Sequence, residues 1–413
     1  MTTTVPDALA EPVERVSGGW ITALTGAVLG VWAVHFGPVQ VLLLGQAEHF
    51  APSDKEGLFG LTAGIGGLVG MIATILVGFA SDRTTSKFGR RRPWIVAGAV
   101  LGSVSLVALG NAGSVAVMII AWCGVQTAFG AMLAGLLASI PDRVPVLQRG
   151  LVGGWIGFAQ TIGGLVGIII ATSIKPAMTS YVVLAVLLVL LALPFVLRSA
   201  EAVLRREQRP PGGVGALLSG FYVSPSKHPD FAWALLNRLL MNLGFVMGTL
   251  YTLYILQDVI RSEHPQEDLL LVTLLNAVVM VPAAIFIGGR SDKARKRKKF
   301  IFVSGLVVTL SSVMLVPTIT WPLLLASTVV LAVSFGAFVA VDTALLTEVL
   351  PAAEHRAKDL GVINISHGIP QVVGPLVATA VLGNLGGYAG LFAVSGVLTL
   401  IGSFLIFRIR SVA

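Results

Sequence analysis

Cysteine is nearly absent: Cys123 stands alone among 413 residues, which excludes an intrachain disulfide framework and any cysteine cluster for zinc or iron and sulfur. Charge is scarce too. Only 12% of residues are charged while 55% are apolar, with a mean hydropathy of +0.89, whereas a soluble domain carries roughly 25% charged residues. No nucleophile and base cluster, metal-ligand spacing or phosphate-cradling glycine loop occurs, so an embedded enzyme is not expected, and no cofactor is implied. Residues 1–17 hold Asp7, Glu11, Glu14 and Arg15. The apolar run after them is too long for a cleaved signal, so they read as a short cytoplasmic tail.

What is abundant is apolar sequence in long runs. Stretches beginning near Trp20, Gly57, Trp94, Val115, Leu151, Tyr181, Phe231, Leu269, Ile301, Leu323, Leu360 and Leu391 are each long enough to cross a bilayer as a helix. Twelve is the simplest count, and it predicts an all-α membrane protein. Glycine, 47 of 413 residues, suits helices that approach closely in lipid. The glycines of the fifth span (Gly153, Gly154, Gly157, Gly163, Gly164 and Gly167) read as close packing between two halves.

The net charge of +8 is accounted for by its placement. With the amino terminus inside, 24 of the 28 lysines and arginines fall in inner segments, Lys55, Lys175 and Arg261 fall outside, and Arg238 lies within a span. That bias predicts both termini in the cytoplasm, in the plasma membrane, and removes nucleic acid as a partner. Residues 198–229, with Pro210, Pro211, Gly212, Gly213, Pro225 and Pro229, form the one sizeable connection. The expected organisation is a tail over 1–17, a six-helix bundle over 18–197, a cytoplasmic linker over 198–229 and a second bundle over 230–413.

An internal repeat supports two halves. Gly78, Ser81, Asp82 and Arg83 return 210 residues later as Gly288, Ser291, Asp292 and Lys293. Arg149 with Arg356, Gly154 with Gly361, and Arg90–Arg92 with Arg297–Lys299 recur at 207. Parallel halves of this kind support rocking about a central site. A carboxylate such as Asp82, where a span meets a basic loop, can hold a neighbouring helix end and the loop arginines together and release them in another conformation. Asp292 is its weaker counterpart.

Gly78, Asp82, Arg83, Gly89, Arg90 and Arg91 resemble the loop signature of the major facilitator superfamily. The longer run from Asp82 to Trp94 is similar to that of the glycoside, pentoside and hexuronide symporters, and Gly89 to Pro93 to the sucrose transporter group. The resemblance implies two pseudo-symmetric bundles of six helices, a secondary transporter, and gating roles for Asp82, Arg83, Gly89, Arg90, Arg91 and Asp292. It also implies that spans 1, 4, 7 and 10 line a central cavity. Sodium-coupled glycoside symporters use acids in spans 2 and 4. This chain has none between Glu56 and Asp82 or between Asn111 and Asp142, so protons are the expected coupling ion.

An ionisable residue in mid-membrane costs about 2.5–3.5 kcal/mol and needs a partner, water or a function. Counted from the inner ends, Arg238 and Asp342 each lie about eight residues into their spans, roughly 10 Å deep, and are expected to pair, with Asp342 as the proton-coupling group. Asn242 shares a face with Arg238. Asn364, His367 and Gln371 share one in span 11, beside Gly368 and Pro370. In span 1, His35 aligns with Gln46 and lies near Gln40, with the Gly37–Pro38 step between, where a break would expose carbonyls to the cavity; His35 is a second candidate for proton or substrate contact. Gln126, Gln160 and Asn276 complete the substrate candidates, and Glu48 and His49 could form an outer gate. A proton-coupled transporter of a small polar solute, sugar or glycoside first, is the expected function. An efflux antiporter for amphipathic compounds or lipids and a non-transporting receptor or assembly factor are the alternatives. A monomer in the lipid bilayer is expected.

Overall fold

The computed structural model describes residues 12–199, 203–204, 206–209, 213, 228–294, 296–348 and 356–410, with the side chains of 208, 292, 343–344, 346–348 and 356–367 excepted. All regular structure among the described residues is helical, as expected where lipid offers no hydrogen-bond partner to a backbone. Twelve long helices follow in order: α1 (Gly18–Phe50), α2 (Lys55–Asp82), α3 (Arg92–Gly110), α4 (Val115–Arg143), α5 (Val146–Ser173), α6 (Ala177–Arg198), α7 (Pro229–Val259), α8 (Pro265–Ala294), α9 (Arg297–Val313), α10 (Trp321–Glu348), α11 (Arg356–Asn384) and α12 (Gly387–Leu405). Ten are long and apolar enough to span a membrane over their described residues; α9 and the fully described part of α11 are shorter.

The starts of these helices follow ordinary capping rules. Ser17 and Ser114 turn their hydroxyls back to accept from Trp20 N and Val117 N, satisfying donors that a first turn leaves open. Prolines precede α5 and α6 and open α7, where a missing N–H costs nothing. At Gly37–Pro38 the chain does not break. Instead α1 passes through one π-helical turn, Pro38–Leu42, which re-routes the hydrogen bond that proline cannot donate. Helix α7 carries a similar turn at Ile255–Val259.

The chain divides into two units: Met1–Pro52 with Ile65–Gly213, and Ser53–Gly64 with Val214–Ala413. Helix α2 therefore contributes its first residues to the second unit and the rest to the first. Within the first unit α1 packs on α5 and α6, and α3 on α4 and α6; within the second, α7 packs on α11 and α12, and α9 on α10 and α12. The pairing scheme recurs six helices on, as the sequence repeat implies. The α1–α5 contact is made by glycine. Gly163 and Gly167 lie against the backbone of Leu29 and Ala33, Gly164 against the Phe36 ring, and a Cβ on Gly37 would sit 2.7 Å from the Gly167 carbonyl oxygen. These glycines thus pack inside the first unit and not between halves, while Gly153, Gly154 and Gly157 meet nothing within 4 Å. In the second unit Phe231, Met241, Ile301, Phe335 and Phe338 form the buried core.

Candidate functional site

Three polar groupings stand out against this apolar frame, one in the loop after α2 and two at membrane depth. In the loop, Asp82 Oδ1 meets Arg91 Nη1 at 2.6 Å, and Arg91 Nε meets Asp142 Oδ2 at 2.8 Å. Arg90 reaches the other Asp142 oxygen at 2.9 Å. Ser81 Oγ donates to Arg90 O and accepts from Arg91 Nη1, and Trp94 Nε1 donates to Thr84 Oγ1 at 2.9 Å. Burial disfavours the Arg91 cation, but Asp142 and Asp82 outweigh it and raise its pKa above the ordinary guanidinium value. Gly89 closes the loop at φ 94°, a left-handed conformation open to glycine and costly for other residues. Arg83 lies over the Phe79 ring, 5.3 Å from its centroid.

The sequence singled out Asp82, Arg83, Gly89, Arg90 and Arg91 but not Asp142, at the end of α4. The structure gives Asp142 two arginines, while the Asp82 side chain is 54% exposed. The missed signal was an acid beside Arg143 at the end of a span, facing a loop of arginines. Asp292, the repeat counterpart of Asp82, has its side chain outside the described residues.

At membrane depth in the second unit, Arg238 of α7 and Asp342 of α10 pair through one hydrogen bond, Nη1 to Oδ2, at 2.9 Å. Both are shielded, Asp342 almost wholly. Arg238 Nε and Asp342 Oδ1 are buried with no hydrogen-bond partner among the described residues. Among the described residues the pair is thus half-satisfied, with Arg238 Nε and Asp342 Oδ1 left for a further group. Asn242 does not join it: its Nδ2 donates to Arg238 O at 2.8 Å, and Thr249 likewise bonds its own helix at Phe245 O. Asn276 and Gln371 are half-buried; the side chains of Asn364 and His367 lie outside the described residues.

In the first unit, His35 of α1 and Gln126 of α4 meet at 3.2 Å, Nδ1 to Oε1. An amide oxygen can only accept, so Nδ1 donates, and in the neutral ring Nε2 is then the acceptor. Aromatic rings surround this pair. Phe129 stacks on His35 with centroids 4.5 Å apart, Trp32 meets both edge-on, and Phe36 and Trp122 lie alongside at 5.2 and 6.3 Å. Gln46, expected to share a site with His35, goes elsewhere: it donates to Leu109 O and accepts from the Tyr181 hydroxyl, at 2.7 and 2.8 Å. Gln40 and Gln160 are half-buried and join neither grouping.

A further cluster was not anticipated. In the second unit, Lys55 pairs with Asp258 of the α7 π-turn at 2.8 Å and lies 4.7 Å from the centroid of the Tyr254 ring. The Tyr388 hydroxyl donates to Glu56 Oε1 at 2.9 Å and approaches Asp258 Oδ2 at 3.4 Å. Lys55 was counted only as a loop charge, because its partners Tyr254 and Asp258 lie about 200 residues away.

Comparison with known proteins agrees with the architecture. Residues 47–318 and 262–413 match the profile of the Major Facilitator Superfamily. A crystal structure of a mutant of the nucleoside transporter NupG superimposes with a TM-score of 0.73 over 94% of this chain and 98% of that one, at 14% sequence identity. A sucrose transport protein of Arabidopsis thaliana is 54% identical over 50 residues, which are 12% of this chain and 10% of that relative's length. The twelve helices, the repeated pairing within each unit and the profile match over nearly the whole chain lead to one conclusion: the chain belongs to the Major Facilitator Superfamily and is a multi-pass membrane transporter, not an enzyme.

Proposed function

We propose that this transporter carries a small polar organic solute, a sugar or glycoside, across the plasma membrane by alternating access, coupled to protons and acting as a monomer with both termini in the cytoplasm. The half-satisfied Arg238–Asp342 pair carries the coupling reading. A carboxylate placed at membrane depth beside a single guanidinium bond can exchange its charge for a proton; on protonation it loses the attraction to Arg238, so proton occupancy and the state of the pair are linked. Asp342 takes the proton-coupling role through its bond to Arg238, and Arg238 and Asn242 are also assigned to the solute. His35, Gln126, Gln40, Gln160, Asn276 and Gln371 are assigned to the solute. Sucrose and nucleosides, the solutes in the names of the two similar proteins, both contain a glycosyl ring, which supports the choice of solute class. The Asp82, Arg91 and Asp142 network is assigned to gating.

The test uses purified protein in proteoliposomes with labelled sucrose and uridine under an acid-outside pH gradient. Wild type accumulates at least one of them; Asp342→Asn loses accumulation at least tenfold while keeping exchange of solute down its gradient. Accumulation unchanged in the variant would overturn proton coupling through Asp342.

A further inference from the structure

The Arg238–Asp342 pair of the second unit rests on one bond, and what sets the length of that bond lies outside the pair. Helix α7 takes most of its packing from α11 and α12, and α10 from α8 and α9. Because a hydrogen bond is lost beyond about 3.5 Å, a slide of about 1 Å between α7 and α10 would part the charges. Arg238 Nε and Asp342 Oδ1 have no partner among the described residues to prevent it. Two rings supply the constraint. Phe245 of α7 and Phe335 of α10 stack with centroids 3.8 Å apart and an interplanar angle of 9°. Phe335 is buried, and the Phe338 ring lies against it at 5.8 Å. Phe245 follows Arg238 by seven residues, and Phe335 precedes Asp342 by seven. Seven residues make nearly two turns, so ring and charge share one face of each helix, about 10 Å apart along it. The equal and opposite offsets put both contacts on one antiparallel seam. Aliphatic side chains in the same core, among them Met241 and Val341, attract without direction and tolerate a slide; a stacked pair loses overlap as it slides.

We infer that Phe245 and Phe335 are positioning residues for the Arg238–Asp342 pair: their stack holds α7 and α10 in the one register at which the two charges meet. This rests on the coupling role proposed for Asp342 and adds what makes that role reversible. Protonation of Asp342 removes its attraction to Arg238. It leaves the stack untouched, since neither ring carries a charge. The helices therefore keep their register while the bond is off, and loss of the proton remakes the same bond in the same place. Without the stack, each proton cycle would let the seam settle in another register, and the carboxylate would no longer report its charge to Arg238.

A double-mutant cycle on the purified full chain tests this without a transported solute. Phe245→Leu keeps an apolar side chain and removes the stack. It lowers the melting temperature of wild type about twofold more than that of Asp342→Asn, because the second background has no ion pair left to misplace. Phe335→Met, made on the facing helix, gives the same pattern. Phe245→Tyr keeps a ring and restores the wild-type melting temperature. In proteoliposomes under the acid-outside gradient, Phe245→Leu lowers accumulation of labelled sucrose or uridine about tenfold while exchange persists, and Asp342→Asn added to it brings no further loss. Rings that only pack would shift the melting temperature equally in both backgrounds; that result overturns the positioning role and spares the transport reading. Accumulation left unchanged by Phe245→Leu does the same. Wild type that accumulates neither solute overturns the transport reading, and the melting-temperature cycle then decides the role of the rings by itself.

Discussion

Arg91 sits between two carboxylates of unequal weight, and the difference can be measured. Asp142 is held by two arginines and is 22% exposed at its side chain, whereas Asp82 is 54% exposed and holds one. Breaking a fully buried ion pair costs about 3–5 kcal/mol and an exposed one about 0–1 kcal/mol. Asp142→Asn should therefore cost about 1–3 kcal/mol, between those limits, and Asp82→Asn less than about 1 kcal/mol. Thermal unfolding of the two variants in detergent checks the ranking; equal or reversed losses would mean that the network is not organised around Asp142. Asp82 was legible because its spacing within a loop motif is local. Asp142 was not, since its importance comes from arginines some fifty positions earlier brought to the end of α4.

At the scale of elements, close approach of helices is set by where glycine stands. A methyl group at Gly37 would meet the Gly167 carbonyl oxygen at 2.7 Å, so Gly37→Ala forces α1 and α5 apart and should cost about 1–3 kcal/mol. Gly153, with nothing within 4 Å, has no such contact to lose, and Gly153→Ala should stabilise by up to about 1 kcal/mol through helix propensity. Chemical denaturation of the pair separates them, and similar effects from both would refute packing as the reason for Gly37. Helix α2 gives a second case. Its first turn is held by Lys55 on Asp258, by Glu56 on Tyr388, and by the Thr379 hydroxyl donating to Glu56 O at 3.2 Å. Lys55→Met should speed hydrogen exchange of the amides over 55–60 severalfold; unchanged protection would show the ion pair to be incidental. The span of α2 was readable from apolar length, but the partition of its residues between two units was not, because a helix apolar on all sides carries no periodic sign of which neighbour it meets.

For the whole molecule, the bias of lysine and arginine implies a topology that the fold alone does not supply. With both termini in the cytoplasm, Glu263 faces outside and Lys299 inside. An impermeant maleimide should then label Glu263→Cys on intact cells and Lys299→Cys only after permeabilisation, against the background of the single native Cys123. The opposite pattern would reverse the proposed orientation. The order of helices and the repeat at 207–210 residues were both visible in the sequence, and the same helix pairings recur within each unit. At Gly37–Pro38, where a break would have exposed carbonyls, the helix makes a π-turn, since within lipid a helix re-routes its ladder sooner than it abandons it.

By itself the sequence determined that this chain lies in a membrane, that it has about twelve spans in two related halves, and that a basic loop with a placed carboxylate closes the second span. Those properties follow from local length, composition and repetition, which act on each segment wherever its neighbours are. Only the tertiary structure decided that Arg238 and Asp342 meet through one bond and leave two polar atoms without a partner among the described residues, that Asp142 takes both Arg90 and Arg91, and that Gln126 meets His35. Each of these joins residues from different helices, and the energy of a hydrogen bond depends on angstroms of separation that no spacing along a chain records.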